Sequence, residues 1–225
     1  MKTRIFPLIV ILLLLIPLAM SQSTVNSKMS FAVLGGVNLQ NLNGKDANGD
    51  KLTNDLIIGY HAGVNVQIPI APTFFFQPGL LFSAKGAKNS NGELTSTYRL
   101  SYVEMPLNVV FKALLGSGYF MIGFGPYIGY AIGGKSTTDD GSSTVKSDIE
   151  FTKVVEAGAP RTTCYYKAFD AGGNLFVGYE MASGLFLHLN TQLGMLNINP
   201  EDKRIIDDIS AYKNTGFGLS LGYRF

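Results

Sequence analysis

Six ionisable side chains sit among apolar residues, at positions where a period of two turns them away from their large neighbours. They are His61, Glu104, Asp170, Glu180, His188 and Arg224. Two histidines and three carboxylates are raw material for acid–base chemistry, or for a proton or ion path. Hydrolysis asks for more: a nucleophile, a base and an orienting group within mutual reach. His61 and His188 are the only two histidines in the chain, and no G-x-S-x-G turn accompanies either. The pattern therefore marks no catalytic residue, and the expectation is that the protein is not an enzyme. A structural network is the better reading, because a buried carboxylate without a partner is costly. Arg224 is the counter-charge expected for Glu180 or Glu104.

Asp46, Asn48 and Asp50 imitate the start of a calcium loop, D-x-N-x-D. Lys51 stands where that motif wants Gly, and Ile57 where it wants Glu. A solvated turn accounts for the stretch, and no metal or cofactor is expected.

The elements that position these groups are legible in the last stretch, Lys213 to Phe225, KNTGFGLSLGYRF. Phe217, Leu219, Leu221, Tyr223 and Phe225 share one parity; Asn214, Gly216, Gly218, Ser220, Gly222 and Arg224 share the other. This is the period of a strand with one apolar face. The same alternation predicts strands over 30–40, 56–68, 73–84, 98–110, 119–131, 167–180 and 185–196, which makes eight. The connections alternate as well. After strands one, three, five and seven they are long and polar; after two, four and six they are short. That asymmetry belongs to an outer-membrane barrel with short periplasmic turns and longer external loops. A soluble sandwich does not require it.

Aromatic residues supply a second argument. Phe31, Phe74, Phe76, Phe120, Tyr179, Tyr223 and Phe225 fall near one end of their strands, and Tyr60, Phe82, Tyr130 and Phe217 near the other. Two girdles flanking an aliphatic band are the signature of a membrane barrel. The expected fold is an all-β, eight-stranded antiparallel transmembrane barrel, an up-and-down meander with apolar residues facing lipid and polar ones facing the lumen.

The opening segment joins Lys2 and Arg4 to an apolar run and to the small-x-small site Ala19-Met20-Ser21, the pattern of a cleaved signal peptide. The expected divisions are a signal peptide at 1–21, a short lead at 22–29 and a barrel at 30–225. The chain carries 18 Lys and Arg against 16 Asp and Glu. Without Lys2 and Arg4 the two counts are equal, so no basic patch argues for nucleic acid. The single cysteine, Cys164, excludes an internal disulfide framework; burial against the barrel rim is expected for it. The stretch Thr144–Val155 mixes apolar residues with charges and is expected to prolong its hairpin above the membrane. Ile205, Ile206 and Ile209 are spaced for one face of a short helix over the barrel mouth.

Four segments carry a family resemblance: FQPGLLFSAKGA (Phe76–Ala87), YRLSYVEMPLNVVFK (Tyr98–Lys112), GFGPYIGYAIGGK (Gly123–Lys135) and the closing stretch. Together they resemble the PorT-like outer-membrane β-barrel family. The resemblance implies an eight-stranded outer-membrane barrel of porin-like description, and by analogy a link to envelope protein secretion. Phe217, Leu219, Leu221, Tyr223 and Phe225 also resemble the C-terminal signal read by the barrel-assembly machinery. The expected partners are outer-membrane lipid, that machinery and a surface ligand or envelope protein. Three roles follow as expectations: loop-mediated binding or envelope structure, a narrow porin-like channel, and accessory work in secretion.

Overall fold

The computed structural model describes residues 28–206 and 208–225; the expected signal peptide, 1–21, and most of the lead, 22–29, lie outside them. Twelve strands follow in order: β1 (Ser30–Lys45), β2 (Ile57–Ala71), β3 (Phe74–Asn91), β4 (Leu94–Leu115), β5 (Gly118–Asp139), β6 (Thr144–Phe151), β7 (Val154–Val155), β8 (Cys164–Tyr166), β9 (Phe169–Glu180), β10 (Leu185–Gly194), β11 (Glu201–Asp202) and β12 (Ala211–Arg224). Eight of them close a ring in the order β1-β2-β3-β4-β5-β9-β10-β12, with β12 returning to β1. Every pairing in the ring is antiparallel. The fold is an eight-stranded antiparallel transmembrane barrel. Closure removes the free edges that an open sheet would leave unsatisfied in lipid.

The period of two places each residue. On β12, Phe217, Leu219, Leu221 and Tyr223 are exposed outward, while Asn214, Ser220 and Arg224 are buried inward. β1 behaves likewise, with Phe31, Val33, Val37 and Leu39 outside and Asn38, Gln40 and Leu42 inside. Outside, the aromatics of neighbouring strands touch. Tyr60 stacks on Phe82 with ring centroids 5.6 Å apart, and Tyr223 meets Phe225 edge-on at 5.0 Å.

One end of the barrel carries the tight turns, at 72–73, 116–117 and 181–184. The other end departs from the expected long loops. The polar stretch 85–97 is not a loop: β3 and β4 run on as a hairpin arm and turn on Gly92 and Glu93, where Gly92 takes a φ of +62°. β5 has 22 residues, about twice what a tilted transmembrane strand needs, so its far half rises beyond the membrane band. There it pairs with β6, as expected of the third loop, and β6 in turn pairs in parallel with β8. Outside the membrane a strand needs no apolar outer face, so polar residues such as Asn89, Ser96 and Thr97 still form one.

The expected helix around Ile205, Ile206 and Ile209 is absent among the described residues. The segment is a turn, and all three isoleucines are exposed. Asp202 is the cause: its carboxylate accepts from the Arg204 backbone N–H and guanidinium, both at 2.9 Å, and ties the chain into a turn. Glu201 and Asp202 instead pair in parallel with Val154 and Val155.

Candidate functional site

Side chains fill the lumen in layers, which follow from the turn end upward. At the turn end, the Glu180 carboxylate takes Lys112 Nζ on one oxygen at 2.6 Å and Arg224 Nε on the other at 2.8 Å. Arg224 also donates to Asn65, and Lys112 to Gln67. Of the two acids offered as partners for Arg224, the structure selects Glu180. The Glu104 alternative is wrong because that residue lies in the upper layer and has its own cation.

Next come three stacked rings. His188 lies between Phe176 and Phe186, 4.5 Å from each. Its seat is made of glycine. A Cβ at Gly123 would stand 2.2 Å from the Phe176 ring, one at Gly178 2.4 Å from His188, and one at Gly222 2.2 Å from Phe186. Gly123, Gly178 and Gly222 therefore admit these rings.

His61 occupies the middle layer. Its Nδ1 is 2.7 Å from Asn38 Oδ1 and its Nε2 is 2.7 Å from Ser220 Oγ, which also accepts from Asn190. A neutral ring with its proton on Nδ1, donating to Asn38 and accepting from Ser220, satisfies every contact. Ser220, His61 and Asn38 thus have the spacing of nucleophile, base and orienting group, an arrangement that the sequence did not suggest. What accompanies them is a cavity of about 80 Å³, room for a few waters and well short of the several hundred Å³ of a usual ligand pocket. The trio therefore reads as a satisfied polar layer.

Above it lies the second charged cluster. Lys85 Nζ sits 2.5 Å from Glu104 and 3.3 Å from Asp170, with no exposed surface on its side chain. Tyr127 and Asn214 donate to the same Asp170 oxygen at 3.1 and 2.9 Å, and Gln192 donates to Glu104 at 2.9 Å. The Lys85 ammonium lies over the Tyr127 ring, 4.4 Å from its centroid. All six residues singled out in the sequence face the lumen, in four layers and not one site. Lys85 and Lys112 were missed, although continuing the alternation of β3 and β4 by one more step reaches both.

The loop end closes the lumen with an apolar plug. Leu42, Leu100, Tyr102, Ile149, Tyr166 and Ile198 are buried together there. Ile149, Tyr166 and Ile198 come from the external segments, so the loops are part of the barrel's packing. Cys164 is half-buried against this plug, with its thiol free. Over the plug is a cavity of about 320 Å³, walled by Tyr98, Tyr165, Tyr166 and Tyr212 with Asn199 and Arg204 at its rim. Arg204 is held in place by Asp202, by Pro160 O at 2.7 Å and by the Tyr165 ring at 5.1 Å. The guanidinium in turn holds the Asp202 carboxyl below its ordinary range. The calcium-like stretch is a turn: Asp46 Oδ1 accepts the backbone N–H groups of Asn48 and Asp50 at 2.9 and 3.0 Å.

A family model described as Outer membrane protein beta-barrel domain matches residues 20–199. The chain belongs to the outer membrane protein beta-barrel domain family. An outer-membrane location follows for this outer-membrane barrel, and the short-turn end is the periplasmic one. Among solved structures, the chain is similar to Neisserial surface protein A, at 9% identity and a TM-score of 0.47, over 88% of this chain and 99% of that one. It is similar to Ail, the attachment invasion locus protein of Yersinia pestis, at 10% identity and a TM-score of 0.39, over 87% and 99%. It is also similar to the outer membrane protein AlkL, at 12% identity and a TM-score of 0.36, over 92% and 94%. No curated protein sequence matches the chain.

Proposed function

We propose that this outer-membrane barrel works as a surface-binding protein, with its ligand seated in the tyrosine-walled cavity of the loop cap. The observation that carries the reading is the cap itself. Segments from three external connections fold into one ordered enclosure of about 320 Å³. Tyrosine faces and planar amide and guanidinium groups suit a hydroxyl-rich ligand, so the ligand class is a saccharide: rings stack on the apolar face of a sugar, and Asn199 and Arg204 bond its hydroxyls. A lumen filled by ion pairs, stacked rings and an apolar plug favours binding over conduction, and no catalysis is assigned to it. Segment 1–21 serves export, and the closing strand ending at Phe225 serves recognition by the assembly machinery. Accessory work in secretion rests on the PorT-like resemblance alone.

The test is a glycan array probed with folded protein, with Tyr165→Ala and Arg204→Ala beside the wild type. Binding by the wild type and its loss in both variants, with heat-modifiable migration unchanged, is the expected result. An array without signal, or variants that bind as the wild type does, would overturn the proposal.

A further inference from the structure

A second cleft opens sideways, at the level where the barrel leaves its apolar band. Tyr130 on β5 and Phe169 on β9 are register partners, both more than half exposed on the outer face. Just above them, Ala131 N bonds to Ala168 O, Lys167 N to Ile198 O and Leu196 N to Ala171 O, so three segments meet at one height. Phe151, Thr152 and Lys153 pass over them, since Thr152 N bonds to Tyr166 O. The enclosed space is about 510 Å³, and its walls are Tyr130, Phe151, Phe169 and Leu196 with Lys153 and Lys167.

The walls and the charges ask for different things. The aromatic and aliphatic walls are continuous with the lipid-facing surface, so acyl chains already lie against them. Lys153, exposed, and Lys167, half-buried, line the same cleft, and neither is ion-paired among the described residues. Two other cations of the cap are paired, Lys203 with Glu156 and Arg204 with Asp202; what sets Lys153 and Lys167 apart is that both line one cleft whose other walls are aromatic and aliphatic. A lysine whose stem lies along apolar surface while its head reaches the interface is a site for a phosphate headgroup.

We infer that this lateral cleft binds a phosphorylated lipid of the outer leaflet, its acyl chains against Tyr130, Phe169 and Leu196 and its phosphates on Lys153 and Lys167. The occupant is an anionic amphiphile and not a free phosphate, because two lysines on an apolar wall need the acyl chain to hold the headgroup there. The site is separate from the tyrosine-walled cavity, and the two stand or fall apart.

The experiment is native mass spectrometry of the full barrel in detergent. It is titrated with bisphosphorylated lipid A, with the same lipid after removal of both phosphates, and with inorganic phosphate. The wild type is expected to retain the bisphosphorylated lipid in preference to the other two. Lys153→Ala with Lys167→Ala should weaken retention about 30-fold, roughly fivefold for each lysine near the interface. Lys153→Arg with Lys167→Arg should retain it, and Lys203→Ala, which removes a cation outside the cleft, should leave it unchanged. Equal retention of the dephosphorylated lipid, or an alanine double variant that binds as the wild type does, would overturn the inference; so would inorganic phosphate displacing the lipid at equal concentration.

Discussion

Replacing Lys85 by methionine keeps a chain of similar length and removes the ammonium that Glu104 and Asp170 share. Its side chain has no exposed surface, and those of the two carboxylates have 1% and none. After the substitution two formal negative charges face each other in the lumen with no cation in the layer. Breaking a buried pair by removing one partner costs about 3–5 kcal/mol, because the remaining charge stays desolvated. Two carboxylates put Lys85→Met toward the upper end, between about 10²- and 10⁴-fold in the folding equilibrium. The contact over the Tyr127 ring adds about 0.5–2 kcal/mol to what is lost. The internal standard is Lys203, paired with Glu156 at 3.0 Å on side chains that are 48% and 70% exposed. A pair of that kind contributes about 0–1 kcal/mol, so Lys203→Met should barely register. The assay is equilibrium urea unfolding of the barrel in lipid vesicles. It is followed by far-ultraviolet circular dichroism, because the chain has no tryptophan, and by heat-modifiable migration as a second probe that must give the same midpoint. The triple variant Lys85→Met, Glu104→Gln, Asp170→Asn should recover most of the loss, since it leaves no unmatched charge. A Lys85→Met cost below about 1 kcal/mol, or a triple variant no better than the single one, would refute the reasoning.

The stacked layer makes a contrasting prediction: His188→Phe keeps the stack and removes a buried Nε2 that has no partner. It should be neutral or slightly stabilising in the same urea assay, whereas His188→Ala should cost about 2 kcal/mol or more. Gly123→Ala should abolish heat-modifiable folding, since its Cβ would fall 2.2 Å from the Phe176 ring; Gly133→Ala, with nothing within 4 Å, should fold normally. Pure folded protein in a planar bilayer should give no single-channel steps, and deleting 135–161, which removes Ile149 from the plug, should still give none, because the ion pairs and stacked rings below the plug remain; steps from the intact protein would count against the filled lumen. At the tip of the β5–β6 hairpin, the Asp140 carboxylate accepts from the Ser143 and Ser142 backbone and hydroxyl groups, which lowers its pKa to about 2. A lowered folded pKa means that the turn's stabilisation is complete above the ordinary value of about 3.9 and is lost as pH falls through about 2. A carboxyl carbon titration with its midpoint near the ordinary value would contradict those bonds.

The barrel was legible in the sequence because its lipid-facing residues obey one rule along the whole crossing, as Phe217, Leu219, Leu221 and Tyr223 do. Legibility stopped where that rule lapses. Beyond the membrane band the outer face need not be apolar, so the arm formed by β3 and β4 had the composition of a loop, and only its ladder reveals strands. Lys85 and Lys112 were lost for the same reason. Hydropathy assigns a lysine to a connection, yet Lys85 continues the inward parity of Gln77 and Ser83, and Lys112 that of Glu104 and Asn108. Which acid meets which cation depends on height in the barrel, and height is set by register. Arg224 lies opposite Ala32 at the turn end, whereas Glu104 lies opposite Leu81 and Gly129, well up the wall. No composition signal carries that. The plug was illegible too, because Ile149, Tyr166 and Ile198 come from segments far apart in the chain and form an apolar group only once the loops have folded.

The interior has a polarity of its own. Lys112, Glu180 and Arg224 sum to one formal positive charge at the turn end; Lys85, Glu104 and Asp170 sum to one negative charge nearer the loops. The neutral layers of His188, His61, Asn38 and Ser220 lie between them. The formal charges of the two clusters cancel, and each cluster is surrounded by hydrogen bonds, accepted by Gln67 and Asn65 in the lower one and donated by Tyr127, Asn214 and Gln192 in the upper one. An ion passing through would have to separate buried pairs, and breaking a buried pair leaves a desolvated charge behind. Tyr166 then links the lumen to its cap. It belongs to the plug and also lines the cavity above it. On the proposed saccharide reading, the sugar would stack on Tyr165 beside this buried ring, and the side chain that closes the lumen would also form part of the cavity's floor.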